Sequence, residues 1–308
     1  MRAFLITRLI ESVVTIWGVV TIVFFSLRLT GDPVLLLLPI GATRQQIEQL
    51  RHALGFDRPL VIQYLSFLGR ALHGDFGAST RAGEPALQLV LERLPATAEL
   101  AILAMLVAIV LGGAAGIIAA LRPNSAFELI IMVGALLGQA TPVFWLAIML
   151  ILIFAATLRW LPSGGIGGPS HYILPVITLA TYASASIARL LRTSLIEVLS
   201  QDFVRTARAK GLTAQAILFR HVLKNALIPV ITVIGLQVGV LLGGAVITET
   251  IFSWPGEGRL IVQSIENRDF PVVQAAACIV ALMIVGVNLL VDFAYSLLDP
   301  RIRLSGPA

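Results

Sequence analysis

Few side chains in this 308-residue chain are of the kinds that carry out chemistry, and their spacing argues against most reactions. A phosphate-cradling P-loop needs a glycine-rich turn ending in Gly-Lys-Ser/Thr. The two lysines, Lys210 and Lys224, are followed by Gly211 and Asn225, so this chain has no nucleotide loop. An ATP-driven process would need separate motor subunits. The four histidines (His52, His73, His171, His221) fall in the connecting segments, far apart in sequence, and neither H-E-x-x-H nor G-x-S-x-G occurs. Cys278 is the lone cysteine. No metal site, catalytic nucleophile or bound cofactor is expected.

The remaining polar candidates sit in or beside apolar stretches. The acids there are Glu11, Glu99, Glu249 and Asp292, each near the end of a stretch. Asn288 and Asp292 lie one helical turn apart, as a proton relay would have them. A hydrogen bond to Arg301 or to a neighbouring helix is the simpler use of Asp292. Glu249 either lines an outer mouth or caps a loop. Gln139, followed by Thr141-Pro142, and Gln237 are polar groups at depth that either contact a moving solute or hydrogen-bond between helices. Pro142 is expected to kink its helix. Glycines in Gly112-Gly113-Ala-Ala-Gly116 and Gly243-Gly244 are expected to permit close helix packing.

The elements that must position these residues are membrane helices. The chain is 57% apolar and 13% charged, against roughly 25% charged in a soluble domain. The longest uncharged runs are Ser12–Leu27, Leu100–Leu121, Leu129–Leu158, Tyr172–Ala188, Asn225–Thr248 and Phe270–Val291. About 20 apolar residues span the hydrocarbon core as a helix, and the shorter runs gain a turn from flanking residues whose charge can snorkel, such as Arg28 or Arg189. Six transmembrane helices are expected. The first, within residues 1–29, reads as an uncleaved anchor, because its apolar stretch is too long for a secretory h-region and no A-x-A-like site follows. With cytoplasmic termini, twelve of the 22 Lys and Arg face inward, and six of the other ten lie in a long segment that the positive-inside rule largely ignores. The net charge of +5 therefore reads as orientation in lipid, not as nucleic-acid binding.

Two segments between spans have structure of their own. Residues 30–95 are too long for a bare connection and are expected to form a small helical cap outside the membrane. Its helices are Gln45–Leu54, stopped by Gly55, and Leu60–Leu72, opened by Pro59; Gly74-Asp-Phe-Gly77 is a turn. Inside, residues 194–224 carry five basic and two acidic side chains. Gln201–Lys210 is helix-compatible, with Phe203, Val204 and Ala207 on one side, and Gly211 supplies the left-handed residue that ends it. Thr213 then caps a short amphipathic helix, Ala214–Val222, in which Ile217/His221 and Leu218/Val222 are i,i+4 pairs. The spacing predicts a knob of helix, glycine turn and helix, followed by the fifth span.

At these residues a family resemblance emerges. Arg205-Thr-Ala-Arg-Ala-Lys-Gly211 with Arg220-His-Val-Leu-Lys-Asn-Ala-Leu-Ile-Pro229 resembles the cytoplasmic coupling loop of bacterial ABC importer permeases, in the branch for dipeptides, oligopeptides, glutathione and nickel. Further matches follow in order: Gly31-Asp-Pro33, Leu54-Gly-Phe-Asp-Arg-Pro59 with Gln63-Tyr64, Gly74-Asp-Phe-Gly77, Arg93-Leu-Pro-Ala-Thr97, Phe252-Ser-Trp-Pro-Gly256, Arg268-Asp-Phe-Pro271 and Asp299-Pro-Arg301. They cover essentially the whole chain. The general importer loop begins Glu-Ala-Ala; here Arg205-Thr206-Ala207 stands in its place, so the glutamate contact to the ATPase does not carry over.

The resemblance implies an all-α type I importer permease of the bacterial inner membrane, a five-helix core over residues 96–308 plus the N-terminal helix. It implies a paralogous second permease as partner, two cytoplasmic ATPases that bind ATP and Mg, an external solute-binding protein, and surrounding lipid. Arg205, Ala207, Arg208, Gly211, Ala214, Ile217, Phe219 and Arg220 would form the ATPase-coupling surface, and Gln139, Gln237 and Glu249 are candidates for the translocation path. A stand-alone proton-coupled transporter is the rival reading. It would need internal inverted repeats and a mid-span acid, and neither is evident. An intramembrane enzyme would need a buried catalytic pair that the chain lacks.

Overall fold

The computed structural model describes residues 2–29, 34, 38 and 42–298. The matches at Gly31-Asp-Pro33 and Asp299-Pro-Arg301 and the Asp292 side chain lie outside that description. The described residues are helical, and their one β contact is an isolated bridge between Ala78 and Pro85. The helices are α1 (Arg2–Leu29), α2 (Arg44–Leu54), α3 (Leu60–Ala71), α4 (Ala86–Leu121), α5 (Ala126–Ala140), α6 (Val143–Leu150), α7 (Ser170–Leu199), α8 (Asp202–Ala209), α9 (Ala214–Ile217), α10 (Leu223–Ile251), α11 (Glu257–Glu266) and α12 (Phe270–Leu298). π-helical turns, Ile151–Thr157 and Leu218–Val222, extend α6 and join α9 to α10.

Five stretches are long and apolar enough to cross a membrane: Thr7–Leu29, Ala86–Leu121, Ser170–Leu199, Ala214–Ile251 and Phe270–Val291. A sixth span exists only if α5 and α6, with its π extension, are taken together, and these are bent by 105°. The expected kink at Pro142 is therefore a full break. The residue before a proline is pushed out of the α region, and Thr141 takes extended angles (φ −76°, ψ 123°). Its hydroxyl donates back to the Leu137 carbonyl at 2.7 Å, so the broken end is satisfied locally.

The chain divides into two compact units. One comprises residues 2–96 and 256–285, and holds the expected cap. Its core gathers Val20 and Phe24 of α1, Phe67 of α3, Phe76, Ala86 and Val90, and Val272, Ala275 and Ala276 of α12. The Phe24 and Phe67 rings stack with centroids 5.3 Å apart, and Thr21 and Tyr64 hydroxyls meet at 2.6 Å. These contacts explain why the helical face read from Tyr64 and Phe67 points inward. Thr43 begins α2 with a reciprocal capping box to Gln46, and Gly55 (φ 72°) ends it. The T-x-x-Q pattern at Thr43 is the sequence signal of this helix start.

Within the same unit the segment after Gly77 is held by the Arg268-Asp-Phe-Pro271 turn. Asp269 is 3% exposed and accepts hydrogen bonds from the Ser79 hydroxyl and, at 3.1 Å, the Thr80 N–H. Arg81 donates to Asn267 at 2.6 Å beside it. Removing a buried charged acceptor strands its donors, at roughly 1.5–3 kcal/mol per bond. Asp269→Ala is expected to lower the thermal unfolding midpoint of the detergent-solubilised chain and open the residue 74–85 loop to protease, with Asp269→Asn intermediate. Unchanged midpoint and cleavage in both variants would show that the clamp contributes nothing.

The other unit comprises Thr97–Pro255 together with residues from Gly286 onward. Its centre is α7, which packs against α5, α6 and α10. Small residues on α7 (Ala180, Ala183, Ala185, Ala188) are buried, so neighbouring helices approach it closely. Gly112 and Gly116 of α4 press on the α7 backbone, as expected of that glycine run. Gly243, by contrast, has nothing within 4 Å of an added Cβ.

Candidate functional site

The predicted knob is present, with one change of construction. Helix α8 ends as Gly211 turns left-handed (φ 76°), its N–H bonded to the Arg208 carbonyl at 2.9 Å. Thr213 takes extended angles and caps α9 by accepting from the Ala216 N–H at 3.3 Å. The short helix expected over Ala214–Val222 is not a separate element. After Ile217 the ladder widens to a π turn, with the Leu223 N–H reaching Leu218, and runs on into α10. The knob is therefore the base of a single helix, Ala214–Ile251, about 57 Å long at 1.5 Å per residue.

Burial sorts the coupling candidates into two sets. Ala207 and Ile217 are buried, together with Val204, Leu218 and Val222, and hold the knob together from inside. Phe203, expected beside Val204, is instead partly exposed. Arg205, Arg208, Gly211, Ala214, Phe219 and Arg220 are exposed. Phe219 is 63% exposed among these cations. Arg205 lies 3.3 Å from Asp202, both well exposed, in a contact of little energetic weight. The surface is thus cationic, with Phe219 its most exposed aromatic, over a fixed internal scaffold. The Ser194 hydroxyl donates to the Ala226 carbonyl at 3.0 Å and fastens the base of α10 to α7.

The three translocation candidates do not converge. Gln139 of α5 is half-buried and engaged by α7, donating to Ser186 at 3.5 Å and accepting from Arg189. Gln237 is buried (7% exposed) in the middle of α10, and its Oε1 has no hydrogen-bond partner among the described residues. Glu249 lies twelve residues further on, about 18 Å along the helix. It is fully buried and accepts from the Thr97 hydroxyl of α4 at 2.6 Å. In this conformation Glu249 joins helices and lines no mouth.

Two functional-looking contacts escaped the sequence reading. Glu128, 8% exposed, accepts from Arg192 (Nε at 2.7 Å) and from the Asn124 N–H at 2.6 Å, tying the start of α5 to α7. The S-x-x-E pattern from Ser125 to Glu128 signalled the helix start, but nothing local announces a partner 64 residues away. At the other end of α7, Tyr172 packs edge-on against Trp254, with centroids 4.7 Å apart. Trp254 and Phe252 are fully buried, and the Phe252 carbonyl accepts from the Gly165 N–H at 2.7 Å. His171, expected in a connecting segment, lies in the first turn of α7.

A family model described as the binding-protein-dependent transport system inner membrane component matches residues 112–304, and its N-terminal companion matches residues 1–101. The chain belongs to that family. It is 41% identical to the dipeptide transport system permease protein DppB of Alkalihalophilus pseudofirmus, over 98% of this chain and 100% of that protein. It is also 41% identical to the glutathione transport system permease protein GsiC of Escherichia coli K12, over 98% and 99%. The fold resembles a subunit in inward-facing structures of the MetNI methionine ABC transporter, with a TM-score of 0.57 and 15% identity over 69% of this chain and 97% of that one. Arg205, Arg208 and Arg220 are exposed together on the α8–α9 knob of this membrane component.

Proposed function

We propose that this chain is the permease subunit of an ATP-driven importer for short peptides or chemically related solutes such as glutathione. In this reading it pairs with a paralogous permease, receives solute from an external binding protein and is driven by two cytoplasmic ATPases that hold ATP and Mg. Both termini face the cytoplasm, following the distribution of arginines. The observation that carries the reading is the cationic knob on the exposed base of α10, in a chain that is 41% identical end to end to peptide and glutathione permeases. Arg205, Arg208, Ala214, Phe219 and Arg220 contact the ATPase, while Ala207 and Ile217 set their positions. Because α9 continues into α10, a displacement of the knob is a displacement of the α10 base. Closure of the motor subunits then turns the helix bundle as a rigid body.

Isolation in mild detergent tests this. A tagged chain is expected to bring ATPase subunits with it, and proteoliposomes of the assembly are expected to take up labelled dipeptide only with ATP inside and binding protein outside. Uptake by the chain alone, driven by a proton gradient, would replace this reading with the secondary-transporter one.

A further inference from the structure

The unit formed by residues 2–96 and 256–285 contains a cavity of about 640 Å³ whose charge is of one sign. Arg28, Arg58, Arg70, Arg268 and His52 line it, and among the described residues no carboxylate does. Among the described residues, Arg58, Arg70 and Arg268 make no ion pair. The described acids next to lining residues are engaged: Asp57 binds His52 at 2.7 Å, Asp75 accepts from the Gly77 N–H at 2.9 Å, and Asp269 serves Ser79 and Thr80. The adjoining cavity, which shares Arg28 and His52, differs in carrying Glu48 and Asp57. Guanidinium groups gathered around one void repel each other and raise the local concentration of anions.

The surroundings say which anion. The cavity lies where two spans end, at Leu29 of α1 and Phe270 of α12, and so at a membrane–water boundary. Its floor is aromatic, with Phe24, Phe67 and Phe270 buried. Arg28 lies over the Phe24 and Phe56 rings, 5.1 and 4.4 Å from their centroids, which fixes one cation at the rim. Ile22, Phe25 and Leu29 are exposed on the same last turns of α1 and offer an apolar track leading away from the cations. A free phosphate needs no such track. An anion carrying acyl chains does.

We propose that this cavity binds the phosphodiester headgroup of an anionic phospholipid, with Arg58, Arg70 and Arg268 on the phosphate and the acyl chains along α1. The proposal does not depend on which solute the chain moves.

Native mass spectrometry of the full chain released from nanodiscs tests it, with phosphatidylglycerol and phosphatidylcholine as probes. Wild type is expected to retain phosphatidylglycerol selectively. Arg58→Gln and Arg70→Gln are each expected to lower that retention about fivefold, the weight of one basic residue near an anionic surface. Arg58→Lys and Arg70→Lys keep the charge and most of the retention, which separates loss of binding from loss of folding. Equal retention in wild type and the Gln variants overturns the proposal. So does displacement of the lipid by soluble glycerol phosphate, which would make this a free-anion site. Weakened binding-protein docking with unchanged lipid retention overturns it too, in favour of a protein-docking patch.

Discussion

Gly211→Pro is expected to abolish ATP-driven uptake while leaving the protein in the membrane at near wild-type level. Proline fixes φ near −65°, whereas residue 211 sits at φ 76°, and proline also removes the N–H that bonds the Arg208 carbonyl. The α8–α9 turn cannot form around it. A penalty of about 3 kcal/mol lowers the population of the native turn roughly a hundredfold. Insertion should survive, because the apolar spans on either side are untouched. Gly211→Ala separates backbone from volume: an added Cβ meets nothing within 4 Å, so only the left-handed φ is penalised, by about 1–2 kcal/mol. A graded loss of uptake from Gly to Ala to Pro is expected, with ATPase copurification falling in step. Arg208→Glu with Arg220→Glu keeps the backbone and should give the same loss through charge alone. Wild-type transport in the proline variant and in the charge-reversed pair would mean that the knob transmits nothing.

What the sequence made legible follows from how local each cause is. A span announces itself because lipid excludes charge from about 20 consecutive positions, and five of the six expected spans are single continuous helices. The Gly211 turn and the Thr213 cap were readable because each is set by residues within four positions. The break at Thr141-Pro142 was half legible: proline forecast a disturbance, but 105° depends on what the two halves pack against. Fusion of α9 with α10 escaped because a π turn has no distinct residue signature. Pairs such as Arg192 with Glu128 and Thr97 with Glu249, 152 positions apart in the second case, are products of tertiary packing. No window of sequence contains both members. That is also why Glu249, which looks like a mouth residue at a helix end, proved to be a buried fastener between α4 and α10.

The same logic makes the α4–α7 contact the sharpest test of the packing. A Cβ built at Gly112 would stand 2.5 Å from the Ser184 carbonyl oxygen and 3.0 Å from the Ile187 Cβ. At Gly116 it would stand 2.8 Å from the Ala188 carbonyl oxygen and 3.0 Å from the Leu191 Cβ. These obstacles are backbone and first side-chain atoms of a helix, which cannot swing aside, so even one methyl group must push α4 from α7. Water expulsion does not hold helices together in lipid; close packing does, and separation forfeits it. Overpacking of this kind costs about 1–3 kcal/mol per site. Gly112→Ala and Gly116→Ala are therefore each expected to lower the unfolding midpoint in detergent, and together to lower it further. Gly113→Ala is the control from the same run of residues. Its Cβ would meet nothing within 4 Å, and exchanging glycine for alanine within a helix is favourable by up to about 1 kcal/mol. If Gly112→Ala unfolds at the same temperature as Gly113→Ala, the two helices do not touch as described, and α7 is not the close-packed centre of its unit.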